Sequence, residues 1–555
     1  MSLDALTLAV LRGALEEVAD EMDEVLVRSA FSAVISEALD RASGLYGAGD
    51  GGVIVQGATG LPIFIGTMQH AVKSLIDHVD TKTMRVGDVF IVNDPYLGGT
   101  HLLDVKLIAP FFHEGELICF LANTGHWVDI GGGTASGFGA SATSLIQEGL
   151  RIPILRIASA SGIDNGIADL IFANIRVPDE SRGDFFAQLN AVRHGAGRMA
   201  QVIERFGRDG VVEGFAELRR RSEEHMRAHI AAMPDGTYRC TDYLDGDGRM
   251  RESIPIELTI RKSGDELVLD FAGTDAQVAA PINLPRECTV SAAFVALKHI
   301  FPDVPINAGA LNAVTFAIPE GSVLAASYPS PTAAYNETGQ RVIDVVFGAM
   351  AQAVPKVAYA APFGTAANVT LGGIGKDGRP FATYLFHGGG YGGSEQGDGI
   401  VNGTVPLGIA RVQPVEVLEQ RFPLKFHRAA IREESAGHGK HRGGFGMVYE
   451  LEFLADGVSA SVLADRARHA PFGILGGTSA APTEITVTHR GEPVKLPQAV
   501  KGQVTNLVRG DRILIKTPGG GGYGHPQDRS RAKVEEDLRL GYIGAETARR
   551  IYDHD

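Results

Sequence analysis

The sequence predicts a mixed α/β (α+β), multi-domain protein that is β-rich, opens on a long helix and closes on short helices. Three observations carry that prediction. Apolar residues near the N-terminus recur every three or four positions, short β-branched and aromatic runs fill most of the chain after Val53, and charged helical spacing returns after Arg531. At 555 residues, 44% hydrophobic and 21% charged, the chain can bury several cores, which excludes a disordered tail. Its 70 glycines are about twice the usual ~7% share and call for a structural reason.

The elements follow from period and punctuation. Leu11, Leu15, Val18, Met22 and Val25 form one apolar face opposite Glu16, Glu17, Glu21 and Glu24, so a helix is expected that ends near Gly44. From Val53 to His126 the runs VIVQ, DVFIVNDP, LDVKLIAPFF and ELICFLANTGHW are divided by Gly, Asn, Asp and Pro, which predicts sheet. Residues 179–232 return to helical spacing, with breaks expected at Gly195, Gly197, Gly207 and Gly210. A hairpin turning at Ser263-Gly264 follows, then helices around 290–300 and 338–353. ATYLFH, MVYELEFL, VSASVLAD, EITVTHR and RILIKT then read as strands between glycine-rich turns. These changes divide the chain into a helix-plus-sheet region at 1–178, a helical segment at 179–233, a strand-rich stretch at 234–516, and a glycine-rich loop with a helical tail at 517–555.

Charge and cysteine usage narrow the function. A net charge of -15 excludes a nucleic-acid partner and an anionic membrane, because both require clustered Lys and Arg. Cys119, Cys240 and Cys288 form no CxxC pair and read as reduced core thiols. Acids stand where a signal peptide would carry its basic region, and no apolar run reaches the ~18 residues of a membrane span, so a cytoplasmic protein is expected.

Several motifs fail on inspection. Gly388, Gly390 and Gly393 fit GxGxxG, as do Gly519, Gly521 and Gly524, but neither triplet runs into a helix-like segment, so both read as tight turns. No GxxxxGK[ST] phosphate loop and no GxSxG elbow occurs. Asp245-Gly-Asp247-Gly begins like a calcium loop, yet Met250 and Ile256 stand where Gly and a bidentate Glu are required.

One stretch gathers chemistry. In NDPYLGGTHLLDVKLIAPFFHEGELICFLANTGHWVD, His101 and Asp104 form HxxD at the start of one strand, and His126 lies just past the end of the next. Antiparallel pairing would return His126 to His101, giving N and O donors suited to a divalent metal. The same three residues are also what ordinary loops at strand ends use, and spacing alone leaves both readings open.

The motifs NDPYLGGTHLLD, NTGHWVDIGG, ANIRVPDESRGDFFAQLNA, PINAGALNAV, IPEGSVL, HRGGFG and TPGGGGYGHPQDR, in this order, resemble the hydantoinase B/5-oxoprolinase family. The resemblance implies the metal-dependent subunit of an ATP-dependent cyclic amide hydrolase acting on a hydantoin, 5-oxoproline or another lactam. It also implies a hydantoinase A-type partner that binds ATP and phosphorylates the substrate oxygen, within a heterotetramer or larger assembly. The metal ligands carried over are His101, Asp104, His126 and, from the end of the first helix, Asp40. Their N/O set suits Zn, Mn, Fe or Co. Asp94 and Asp129 are candidates to orient a ligand or take the water's proton, and equally to cap turns. The alternative is the metal-bearing subunit of an acetone- or acetophenone-type carboxylase, a branch that carries Glu at the place of Asp40. Two departures, Ser435-Ala436-Gly437 and His525, fall in the glycine-rich loops.

Overall fold

The first helix forms on the expected face and stops early. In the computed structural model, which describes residues 4–249, 251–497 and 500–554, α1 spans Ala5–Ser29, with the Asp4 carboxylate accepting from the amides of Leu6 and Thr7. It buries Leu8, Leu11, Leu15, Val18, Met22 and Leu26, each worth about 1.5–3 kcal/mol of transfer free energy. A one-turn helix, α2 (Ala33–Ser36), capped by Ser32, follows, and by Arg41 the chain is already strand β1 (Arg41–Gly47). The expected end near Gly44 is therefore corrected. RASGLYG is claimed as a strand because β2 (Val53–Gln56) pairs with it on one side and β5 (Glu116–His126) on the other.

A second correction falls inside the region read as sheet. Ile63–His78 is a helix, α3, whose Phe64, Met68, Val72 and Leu75 are buried at helical spacing. Around it lie β3 (Val89–Val92), β4 (Asp104–His113), β5 (Glu116–His126), β6 (Leu155–Ser159) and β7 (Gly162–Ile163), in the antiparallel order β2-β1-β5-β4-β3-β6-β7. Two short helices, α4 (Leu145–Glu148) and α5 (Asn165–Ala173), precede β6 and follow β7.

Gly195 and Gly197 do not break α6 (Pro178–Phe206). A Cβ at Gly195 would lie 2.4 Å from the Met22 sulfur, so the glycine is what lets α6 seat against α1. Gly207, at φ +75°, does separate α6 from α7 (Arg208–Ala232), which holds Gly210 without a break.

The middle sheet joins β8 (Gly236–Leu244), β9 (Ile254–Ser263), β10 (Glu266–Asp270) and β11 (Val314–Ala317), with the expected hairpin turning at Gly264. Helices α8 (Arg286–Ile300), α9 (Ala308–Asn312) and α10 (Tyr335–Ala353) accompany it, and α10 is buried along nearly its whole length. The C-terminal half contains β12 (Asn368–Ile374), β13 (Pro380–Leu385), α11 (Val415–Arg421), β14 (Leu424–Ile431), β15 (Met447–Phe453), β16 (Val458–Leu463), β17 (Glu484–His489), β18 (Glu492–Val494), β19 (Lys501–Leu507) and β20 (Arg512–Lys516). These form sheets ordered β13-β12-β16-β19 and β14-β15-β20-β17-β18, closed over one apolar core. Helices α12 (Arg531–Arg539) and α13 (Ala545–Tyr552) end the chain.

The glycine surplus has a structural use. Glycine-rich segments between 388 and 524 run against one another through bare backbone. Gly393 donates to the Gly521 carbonyl at 2.9 Å, Gly520 to Gly444 at 3.0 Å and Gly522 to Thr478 at 3.0 Å. A Cβ at Gly390 would sit 1.9 Å from the Gly444 oxygen, and one at Gly520 would sit 1.9 Å from the Tyr391 oxygen. The two GxGxxG matches are thus parts of a backbone-packed layer rather than isolated tight turns. Neither opens an α-helix: Gly524 leads into a single 3-10 turn, Pro526–Asp528.

Among the described residues, no helix is long and apolar enough to cross a membrane.

Candidate metal centre

Register builds this site. Asp104, the first residue of β4, pairs directly with His126, the last of β5, and Arg41 of β1 pairs with Gly125. Asp40 therefore stands beside His126, whose amide donates to the Asp40 carbonyl at 3.1 Å. Three adjacent strands bring Asp40, His126 and Asp104 to one end of the sheet. Asp40 belongs to the loop between α2 and β1, not to the end of the first helix, and Leu39 before it holds φ +60°. A leucine in the left-handed region costs about 1–2 kcal/mol and is kept only where packing fixes it. His101 comes from the loop leading into β4.

His101, Asp104 and His126 each offer a ligand atom within 4.8 Å of the other two. All three are buried, with His101 Nε2 3.2 Å from Asp104 Oδ2 and the imidazole centroids 5.0 Å apart. His101 Nδ1 donates to the Ala333 carbonyl at 3.1 Å, so a neutral ring keeps its lone pair on Nε2. His101 Nε2, Asp104 Oδ1 and both nitrogens of His126 lack hydrogen-bond partners. Four orphaned donors and acceptors in one buried spot are what a bound cation would satisfy, and the N/O set fits a divalent transition metal.

The electrostatics agree with that fit. Burial alone would raise the Asp104 carboxyl, but His101, with help from His126 and Lys106, brings it below its ordinary value. Burial, reinforced by His101, pushes His126 down to about 3. Asp40 stays outside the mutual trio, yet burial and then the Asp104 charge hold its carboxyl well above the usual range. Positive charge placed here would relieve both carboxylates.

The surroundings were not foreseen from the sequence. Tyr384 stacks on His126 at 5.1 Å and Phe138 on Tyr384 at 4.7 Å, while Tyr335 lies 5.0 Å from His101. A cavity of about 40 Å³, room for a few waters, is lined by Asp40, Tyr335, Asn336, Tyr384, Phe386 and Thr404 among others. Tyr384 Oη donates to Asn368 at 2.7 Å, whereas the buried Thr404 Oγ1 has no partner. Buried Lys106 donates from Nζ to the Asp104 carbonyl at 3.1 Å. Glu148 accepts from the amides of Thr332 at 3.0 Å and Ala333 at 2.9 Å, fixing the segment whose carbonyl orients His101. Lys106 lay within the stretch singled out for chemistry, but HxxDxK carries no recognisable pattern, and Tyr384 and Phe386 lay in ATYLFH, which was read only as a strand. Tyr335, Asn336, Asn368, Tyr384, Phe386 and Thr404 come from segments more than 200 residues away, Phe138 from the loop after β5, and Glu148 from a short helix with no motif of its own.

Asp94 and Asp129 serve turns. Asp94 accepts from the Tyr96 amide and from Arg151, and Asp129 from the amides of Gly131, Ser136 and Arg176 and from the Arg176 guanidinium. Neither carboxylate bonds to His101, Asp104 or His126. Asp245 caps the segment at 467–469, and Met250 lies outside the described residues. Cys119, Cys240 and Cys288 are free thiols, Cys240 the least buried of them.

With this geometry in view, likeness to known proteins becomes informative. The 5-oxoprolinase of Dictyostelium discoideum is 30% identical over 94% of this chain and 40% of its own length. The caprolactamase subunit beta of Pseudomonas jessenii is 28% identical over 99% of this chain and 96% of its own. The crystal structure of the ATP-dependent caprolactamase from that organism matches with a TM-score of 0.91 at 29% identity, covering 100% of this chain and 96% of that one. An acetone carboxylase structure matches with a TM-score of 0.90 at 19% identity, covering 98% and 79%, which shows a shared fold. The family model described as hydantoinase B/oxoprolinase matches residues 4–526, and the chain belongs to that family.

Proposed function

We propose that this chain is the metal-dependent, ring-opening subunit of an ATP-dependent cyclic amide hydrolase. It acts on a hydantoin, 5-oxoproline or another lactam after a hydantoinase A-type partner has bound ATP and phosphorylated the amide oxygen. One observation carries the reading: in a chain of this family, His101, Asp104 and His126 converge in a buried spot with their ligand atoms unsatisfied. Asp40 completes the set, and the ion is Zn, Mn, Fe or Co. When bound, such an ion lowers the pKa of water and supplies a nucleophile near neutral pH.

The chain's own groups do the rest. His101 presents Nε2 because its Nδ1 proton is committed to Ala333. Thr100 donates to Asp104 Oδ2 and orients that carboxylate. The rings of Tyr335, Tyr384 and Phe138 keep bulk water from the trio, and Thr404 Oγ1 is left to meet an occupant of the cavity. A second reading, the metal-bearing subunit of an acetone- or acetophenone-type carboxylase, is supported by the shared fold alone.

Elemental analysis of the purified chain, alongside ATP-dependent ring opening with its partner, tests the proposal. A stoichiometric buried ion and activity are expected in the wild type, with both lost in the His101→Ala, His126→Ala double variant. Undiminished turnover in the double variant would overturn it.

A further inference from the structure

A second cluster of metal-ligating side chains lies on the surface, on elements that the buried centre does not use. His225 and His229 are spaced i, i+4 on α7, which puts both rings on one helix face, and Asp303 meets them from the loop after α8. Nε2 of each histidine is 3.0 Å from Asp303 Oδ2, and the three ligand atoms lie within 4.8 Å of one another. The side chains are 40%, 32% and 56% exposed, so an ion could enter and leave without opening the fold.

What separates this group from a chance surface pair is how firmly each member is held. The loop carrying Asp303 is pinned from below by Lys298, whose ammonium donates to the carbonyls of Phe301 at 3.1 Å, Pro302 at 3.1 Å and Val304. His229 stacks on Phe301 of the same loop, with centroids 5.0 Å apart, and His225 stacks on His229 at 5.0 Å. The ligands are thus preorganised by packing and hydrogen bonds that do not involve the metal-binding atoms, which lowers the entropy an ion must overcome. His225 and Asp303 also line a groove of about 610 Å³ between α1, α7 and this loop, leaving space for water or a ligand on the open side of an ion.

We infer that His225, His229 and Asp303 form a second site for a divalent transition-metal ion, with two imidazole nitrogens, one carboxylate oxygen and open positions toward the groove. Two nitrogens with one oxygen suit zinc, and the ion would tie α7 to the 302–307 loop. This inference is independent of the reading of the buried centre.

The test uses the full-length chain stripped with chelator and titrated with zinc chloride in a calorimeter. The wild type is expected to take one more equivalent than the His225→Ala, His229→Ala double variant. The His101→Ala, His126→Ala double variant should keep the surface equivalent. Asp303→Asn, nearly isosteric and exposed, should weaken that equivalent by about tenfold or more, as even losses outside the ligand set do. Equal stoichiometry in the wild type and the His225→Ala, His229→Ala variant would overturn the site. So would an Asp303→Asn variant of unchanged affinity, because the ion would then be captured by a bare histidine pair.

Discussion

At the scale of single residues, the site is set by where protons and lone pairs are committed. His101 gives its Nδ1 proton to Ala333, and Ala333 is held by Glu148, so a carboxyl group outside the buried trio governs the direction of the His101 imidazole. Glu148→Gln keeps the size of the side chain but replaces one acceptor oxygen by an NH2, which must face an amide that also donates. The expected result is affinity for the buried ion lower by about tenfold with the fold retained, read by competition with a chromogenic chelator. Unchanged affinity would mean that the 332–333 segment holds itself. His101, Asp104 and His126 were legible in the sequence because chemistry-bearing residues stood at the ends of two consecutive strands that a tight turn had to pair. Glu148, Tyr335, Tyr384 and Thr404 were not, because long-range packing alone brings them there.

At the scale of elements, local pattern and tertiary pairing divided the outcome. The face of α1 was readable from Leu11, Leu15, Val18 and Met22, whereas its end was not, since RASGLYG becomes a strand through partners on both sides. α3 hid inside a stretch of strands because IFIGTMQHAV is apolar enough to satisfy either period. Gly195 looked like a helix breaker and is instead a contact point for Met22. The glycine-rich segments show a similar shift: they read as tight turns, and they are a layer of packed backbones. There Gly520→Ala would drive a methyl into the Tyr391 carbonyl, which cannot swing aside as a side-chain tip could. A loss of about 1–3 kcal/mol or more is expected in chemical denaturation. A variant as stable as the wild type would contradict close packing of this layer.

At the scale of the whole molecule, the interior holds carboxyl groups that resist ionisation. Burial raises Glu148 and Glu337 to about 8, and Asp242, set among Arg341 and Arg466, to about 6. Their folded values lie above their unfolded ones, so between about pH 4 and 8 the native state binds more protons. The stability they confer is complete below the unfolded pKa and is lost as pH rises through the folded values. The melting temperature of the metal-free chain is therefore expected to fall from pH 6 to pH 9, and to fall less in a Glu148→Gln, Glu337→Gln double variant. A wild-type melting temperature that rises over this range would contradict that linkage. On the proposed function this chain supplies one half of a reaction, with a buried N/O cluster and a small cavity here and activation of the amide left to a partner. Isotope tracing tests that assignment most directly. The chain and its A-type partner would be supplied with ATP, a cyclic amide and 18O-labelled water. The account predicts 18O in the carboxylate of the ring-opened product, with no requirement for bicarbonate. Turnover that depends on bicarbonate and yields a carboxylated ketone would contradict it.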